Sequence, residues 1–190
     1  MNTSAGKILC VCALALAIAN NAHAAFTITV QQIGGSVVAS GSGSINTAGL
    51  TFLSLSSVSA QITSLSGQII LGNSATSALY SGITGPTSFG TTPGSPASSS
   101  TGATIGVGGL FNQIFVPNGY VSGTSYSDNA TWSGLTFSSL GLTAGTYTWN
   151  WGSGANTDFM TLNIVSVPEP STAVLLAVSA IGMLIGYRRK

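Results

Sequence analysis

Asp128 and Asp158 are the only side chains in residues 25–166 that ionise near neutrality. The same stretch has no Lys, Arg, His, Glu or Cys. Two carboxylates held close together can share a proton, or divide the acid and nucleophile roles of a glycosidase. Asp128 is followed by Asn129 and Asp158 by Phe159, so neither lies in the Asp-Thr/Ser-Gly setting of an aspartic protease. Serine is abundant, but a serine nucleophile needs an adjacent base, and no His or Lys is there to serve. Zinc and copper need His or Cys; His23, Cys10 and Cys12 all precede residue 25. Asn156, Asp158 and loop carbonyls suit calcium, but they also read as the turn-formers of a hairpin loop. Nucleic acid demands phosphate-neutralising cations, and this region has none. The expectation is a non-enzymatic region with no cofactor, no metal and no nucleic-acid partner.

The remaining charges lie toward the two ends of the sequence. Val167, Pro168, Glu169 and Pro170 form a proline-flanked carboxylate, followed by an uncharged apolar run over residues 171–187 and then Arg188, Arg189 and Lys190. Pro168 and Pro170 lack backbone N–H donors, and Pro170 disfavours a helical Glu169. A helix is therefore expected to start just after Pro170. At about 1.5 Å per residue it would reach roughly 25 Å, short of a hydrocarbon core of about 30 Å but able to span with local thinning and snorkelling. The basic cluster places that end in the cytoplasm. An ordinary membrane anchor is the simpler alternative.

At the other end, Lys7 precedes an apolar run from Ile8 to Ile18, and Ala22, His23 and Ala24 form a small-x-small cleavage site. Signal peptidase is expected to cut before Ala25, which makes residues 1–24 a signal peptide. Both cysteines and the histidine leave with it, so no disulfide framework is available. The mean hydropathy of +0.49 is raised by the two apolar segments. Residues 25–166 are polar, uncharged and of single-domain size.

The order of Pro-Glu-Pro, short apolar run and basic stop in residues 167–190 resembles the PEP-CTERM sorting signal of Gram-negative bacteria. The resemblance implies processing by exosortase, a membrane-embedded cysteine protease or transpeptidase. It also implies a precursor in the inner membrane with residues 25–166 periplasmic, then a cell-surface or extracellular product. A link to exopolysaccharide and biofilm follows from the same resemblance, with extracellular polysaccharide as a further partner.

The exported region reads as strands. Phe26, Ile28 and Val30 alternate with Thr27, Thr29 and Gln31; Tyr147, Trp149 and Trp151 alternate with Thr148 and Asn150; Met160, Leu162 and Ile164 alternate with Thr161 and Asn163. Further strands are expected in residues 50–62, 68–71, 103–107, 110–116, 120–126 and 130–137. Gly- and Ser-rich breaks at about ten-residue spacing point to an all-β, antiparallel sandwich. Residues 85–102, with Pro86, Pro93 and Pro96, are expected to form a flexible exposed loop. Leu142, Gly145 and Tyr147 resemble the tyrosine corner of immunoglobulin-like sandwiches, which implies that the Tyr147 phenol bonds upstream backbone. Residues 107–165 are similar to the C-terminal part of many small PEP-CTERM proteins.

Trp132, Trp149 and Trp151 suit either a sugar-stacking platform or the core, and the period-two placement of Tyr147, Trp149 and Trp151 favours the core. The resulting expectation is an exported, non-enzymatic surface or matrix protein. The alternative is a carbohydrate- or ice-binding module, against which the Thr27/Thr29 and Thr146/Thr148 pairs look isolated.

Overall fold

The computed structural model describes residues 25–166. The signal peptide 1–24, the sorting motif 167–170, the expected transmembrane helix 171–187 and the basic cluster 188–190 lie outside the described residues. Among the described residues no helix is long and apolar enough to cross a membrane.

Among the described residues thirteen strands make two sheets. One has six strands: β1 (Ala25–Ile33), β2 (Ser36–Gly43), β8 (Ser99–Thr101), β11 (Tyr126–Trp132), β12 (Gly145–Trp151) and β13 (Asp158–Val165). Their spatial order is β12-β13-β1-β2-β11-β8. The other has seven: β3 (Thr51–Val58), β4 (Gln61–Thr63), β5 (Gln68–Leu71), β6 (Ala75–Ser81), β7 (Ser95–Pro96), β9 (Ile105–Gly108) and β10 (Gln113–Pro117), in the order β3-β6-β10-β9-β5-β4-β7. β1 and β13 pair in parallel, and the other strand pairs are antiparallel. The fold is all-β and sandwich-like, as expected. Its six-and-seven partition is larger than the four-and-three of an immunoglobulin constant domain.

One apolar cluster joins the two inner faces. Phe26, Ile28, Val30, Trp149, Met160 and Leu162 come from the six-stranded sheet, and Ile69, Leu71, Val107, Ile114 and Val116 from the seven-stranded one. Period-two alternation puts them there, because a strand turns successive side chains to opposite faces. Gly41 sits in a tight part of this core: a Cβ there would press on the Phe26 ring and on Leu71.

All three tryptophans are buried. Each indole N–H donates to a backbone carbonyl: Trp132 to Ser95 of β7 at 3.0 Å, and Trp149 to Pro86 and Trp151 to Asn46, both in loops, at 2.8 Å. A buried indole N–H needs an acceptor, and these three acceptors tie two loops and the short edge strand β7 to the core. No indole face is left for a sugar.

The loop expected at residues 85–102 is largely exposed, as expected, but it is also tied into the sandwich. It supplies β7 and β8, and Phe89 is buried. The buried Ser64 holds it: the Ser64 carbonyl accepts from Phe89 N at 3.0 Å, and its hydroxyl accepts from Thr92 N at 3.0 Å and donates to Leu140 O at 3.0 Å. Prolines and glycines mark irregular backbone, but they do not report whether side chains elsewhere supply its hydrogen bonds.

The Tyr147 hydroxyl donates to Thr143 O at 3.0 Å, the upstream bond expected of the corner. Several expected boundaries differ. Residues 120–125 are turns rather than strand, β10 starts at Gln113 after a left-handed Asn112 with φ 54°, and β11 ends at Trp132. The sequence reading missed β2 and β6 because their Ser, Gly and Ala positions give weak hydrophobic alternation.

Candidate functional site

Of the sequence-predicted site residues, Ala25 alone is described, at the start of β1 opposite Phe159. Ala22, Ala24, Val167, Pro168, Glu169, Pro170, Arg188, Arg189 and Lys190 lie outside the described residues.

The two aspartates are not brought together. Both point inward, with exposures of 1% for Asp128 and 0% for Asp158. β11 and β13 are separated by β2 and β1, three strand spacings or roughly 14 Å across the sheet. That exceeds the ~5–9.5 Å of glycosidase carboxylate pairs, and a shared-proton pair must be closer still. Asp158 serves the fold. Its carboxylate accepts from Asn46 N at 2.7 Å and Phe159 N at 2.8 Å, pinning the segment before β3 to the start of β13. Those bonds occupy both oxygens of the one acidic residue in the suggested calcium loop. Asp128 lies beside Gly41 on the inner face, and neither of its oxygens makes a well-formed hydrogen bond. Burial pushes its pKa from 3.8 up to about 6; the nearby Ala103 amide pulls the other way and is outweighed.

Because both aspartates are buried, the described surface carries no carboxylate, and it has no basic residue either. What it presents is most ordered on the outer face of the six-stranded sheet. Strand register aligns Thr148, Thr161, Thr27, Ser42 and Ser127 in one cross-strand row. The next row is Thr146, Asn163, Thr29, Ser40, Asn129 and Thr101. The Thr146 hydroxyl donates to the Asn163 side-chain oxygen at 2.9 Å, which fixes one end of that row. Six strands at about 4.8 Å spacing give the row a length of roughly 24 Å.

A shallow depression of about 380 Å³, lined in part by Thr29, Thr146 and Asn163, lies at one end of this row. Another of about 320 Å³, lined in part by Thr101, Asn129 and Thr131, lies at the other. The row therefore runs from one depression to the other. Sequence reasoning treated the threonine pairs as isolated, and in chain order they are. The parallel β1–β13 pairing and the β12–β13 hairpin bring Thr27/Thr29 and Thr146/Thr148 to either side of Thr161 and Asn163. The outward positions of the three alternating strands were the available signal; the order of those strands in the sheet was not.

The comparisons with known proteins bear on the end of the chain. Residues 166–190 match the PEP-CTERM protein-sorting motif. The comparison with curated proteins found no match, and neither did the comparison with solved structures. The motif implies an exported protein of Gram-negative bacteria, anchored by its C-terminus before exosortase processes it.

Proposed function

We propose that this chain is a non-enzymatic surface or matrix protein whose uncharged outer sheet face meets neutral polysaccharide outside the cell. Signal peptidase cuts between Ala24 and Ala25, and exosortase cuts at or near Val167, Pro168, Glu169 and Pro170. Both cuts leave strands β1 to β13 whole. The immunoglobulin likeness is local, confined to the Tyr147 corner. The observation that carries the ligand reading is the row from Thr146 to Thr101, hydroxyl and amide groups without a charge, with a depression at each end. Such groups exchange hydrogen bonds with sugar hydroxyls and incur no ionic desolvation cost.

Ice is the second reading, favoured by the alignment of Thr27, Thr148 and Thr161. A twist of roughly 20–25° between neighbouring strands works against planar lattice matching over six strands, whereas a flexible glycan follows a twisted face.

The test is retention of the full chain on immobilised neutral and anionic polysaccharides at low and high salt. Retention on the neutral matrix, insensitive to salt and lost in Asn129→Lys and Thr29→Lys, is expected. Inhibition of ice recrystallisation without glycan retention would favour the second reading. Neither activity, or retention on the anionic matrix alone, removes the ligand proposal.

A further inference from the structure

Four strands form the sheet edges, and the fold blunts three of them. β7 has two residues, one of them Pro96, and β8 has three. β12 is covered by the segment after β6: Thr84 N donates to Asn150 O and Asn150 N to Thr84 O, both at 2.8 Å. β3 remains. It has eight residues, no proline and no charge, and among the described residues it pairs with β6 alone. Phe52, Leu53 and Leu55 stand 52%, 46% and 51% exposed along it.

A long open edge is a template for another strand, and proteins usually guard it with Lys, Pro or a bulge. β3 has a bulge between Phe52 and Ser54, which leaves Ser54 to Val58 in regular register with β6. We infer that this edge pairs with the β3 edge of a second copy, antiparallel about a two-fold axis, joining two seven-stranded sheets into one.

Three features select a second copy as the occupant. The free edge offers backbone donors and acceptors, which only another extended strand can match in series. The described surface has no carboxylate or basic residue, so two copies meet without repulsion and a charged strand finds no complement. An isologous contact also sets each copy's Leu55 beside the other's β3, where half its area is now in water. The inference stands apart from the glycan reading, because β3 is in the other sheet.

The test uses the full chain in detergent, with micelles in excess so that most hold one chain. Ser57→Cys is placed on β3 and Ser127→Cys on the outer face of the six-stranded sheet. A short bismaleimide should link Ser57→Cys into dimers roughly tenfold more than Ser127→Cys or the unaltered chain, a ratio equivalent to about 1.4 kcal/mol. Association through the tail would raise the two cysteine variants alike. Leu55→Lys or Ser54→Lys, added to Ser57→Cys, should reduce the dimer to the Ser127→Cys level while circular dichroism keeps its β signature; two lysine positions guard against one variant failing to fold. Equal linking at Ser57→Cys and Ser127→Cys, or linking that a folded lysine variant leaves unchanged, overturns the inference.

Discussion

The Trp149 indole donates to the Pro86 carbonyl at 2.8 Å, so a core side chain of β12 fixes the start of the 85–102 segment, which runs beside that strand. The indole is fully buried, so its N–H is left without water if the bond is lost. Trp149→Phe should lower stability by about 2–4 kcal/mol, combining the lost bond with a cavity. Urea unfolding measures the loss, and faster proteolysis within residues 85–102 shows where it is felt.

Asp128 makes stability depend on pH. Its folded pKa of about 6 lies above its ordinary 3.8, so its protonated form is favoured in the native state. Its contribution is full below about pH 4 and is lost as pH rises through about 6, up to roughly 3 kcal/mol. No basic group is described that could offset it, and Asp158 is three strands away. Asp128→Asn should flatten the melting temperature between pH 4 and pH 7. An unchanged slope would place the titration elsewhere.

Two phenols should differ in weight. Tyr147→Phe removes one bond, to Thr143 O, and should cost about 1 kcal/mol. The Tyr120 hydroxyl accepts from Ile45 N at 2.8 Å and lies 3.1 Å from Ile45 O and 2.7 Å from Thr124 O. Tyr120→Phe should therefore cost more, on the order of 2 kcal/mol, because it strands a half-buried amide. Chemical denaturation of the two variants side by side gives the ranking.

Gly90 lies where the 85–102 segment meets residues 141–143, and a Cβ there would overlap the Gly141 carbonyl oxygen and press on Ser64. Gly90→Ala should destabilise by about 1–3 kcal/mol. At Gly94 a Cβ would meet only the Thr63 hydroxyl, at 3.2 Å. Gly94→Ala should be nearly neutral in the same thermal melt.

Sorting is tested by mass. In an exosortase-competent host the surface-exposed protein should lack residues 171–190. Glu169→Ala should leave the full-length form in the inner membrane. Intact-mass measurement decides it, and a surface protein that still carries Arg188, Arg189 and Lys190 would mark the tail as an ordinary anchor.

The sorting signal was legible in the sequence because its information is local. Two prolines, one carboxylate, an apolar run and a basic cluster act by composition and order, which a chain displays before it folds. The strands around Phe26, Trp149 and Leu162 were legible for a similar reason: period-two alternation is a local record of which face will be buried. Tyr147 belongs to the same group, since its partner Thr143 is four residues away.

What the tertiary structure decided rests on pairings distant in sequence. Ser64 anchors Phe89 and Leu140, and Trp132 anchors Ser95, so the ordering of residues 85–102 was written outside that segment. The separation of Asp128 from Asp158 follows from strand order, which alternation does not encode. The same is true of the row from Thr146 to Thr101 and of the open β3 edge. A strand's own residues fix which face turns inward, but its neighbours are chosen by the packing of the whole sandwich, and that choice sets what the outer face and the free edge present.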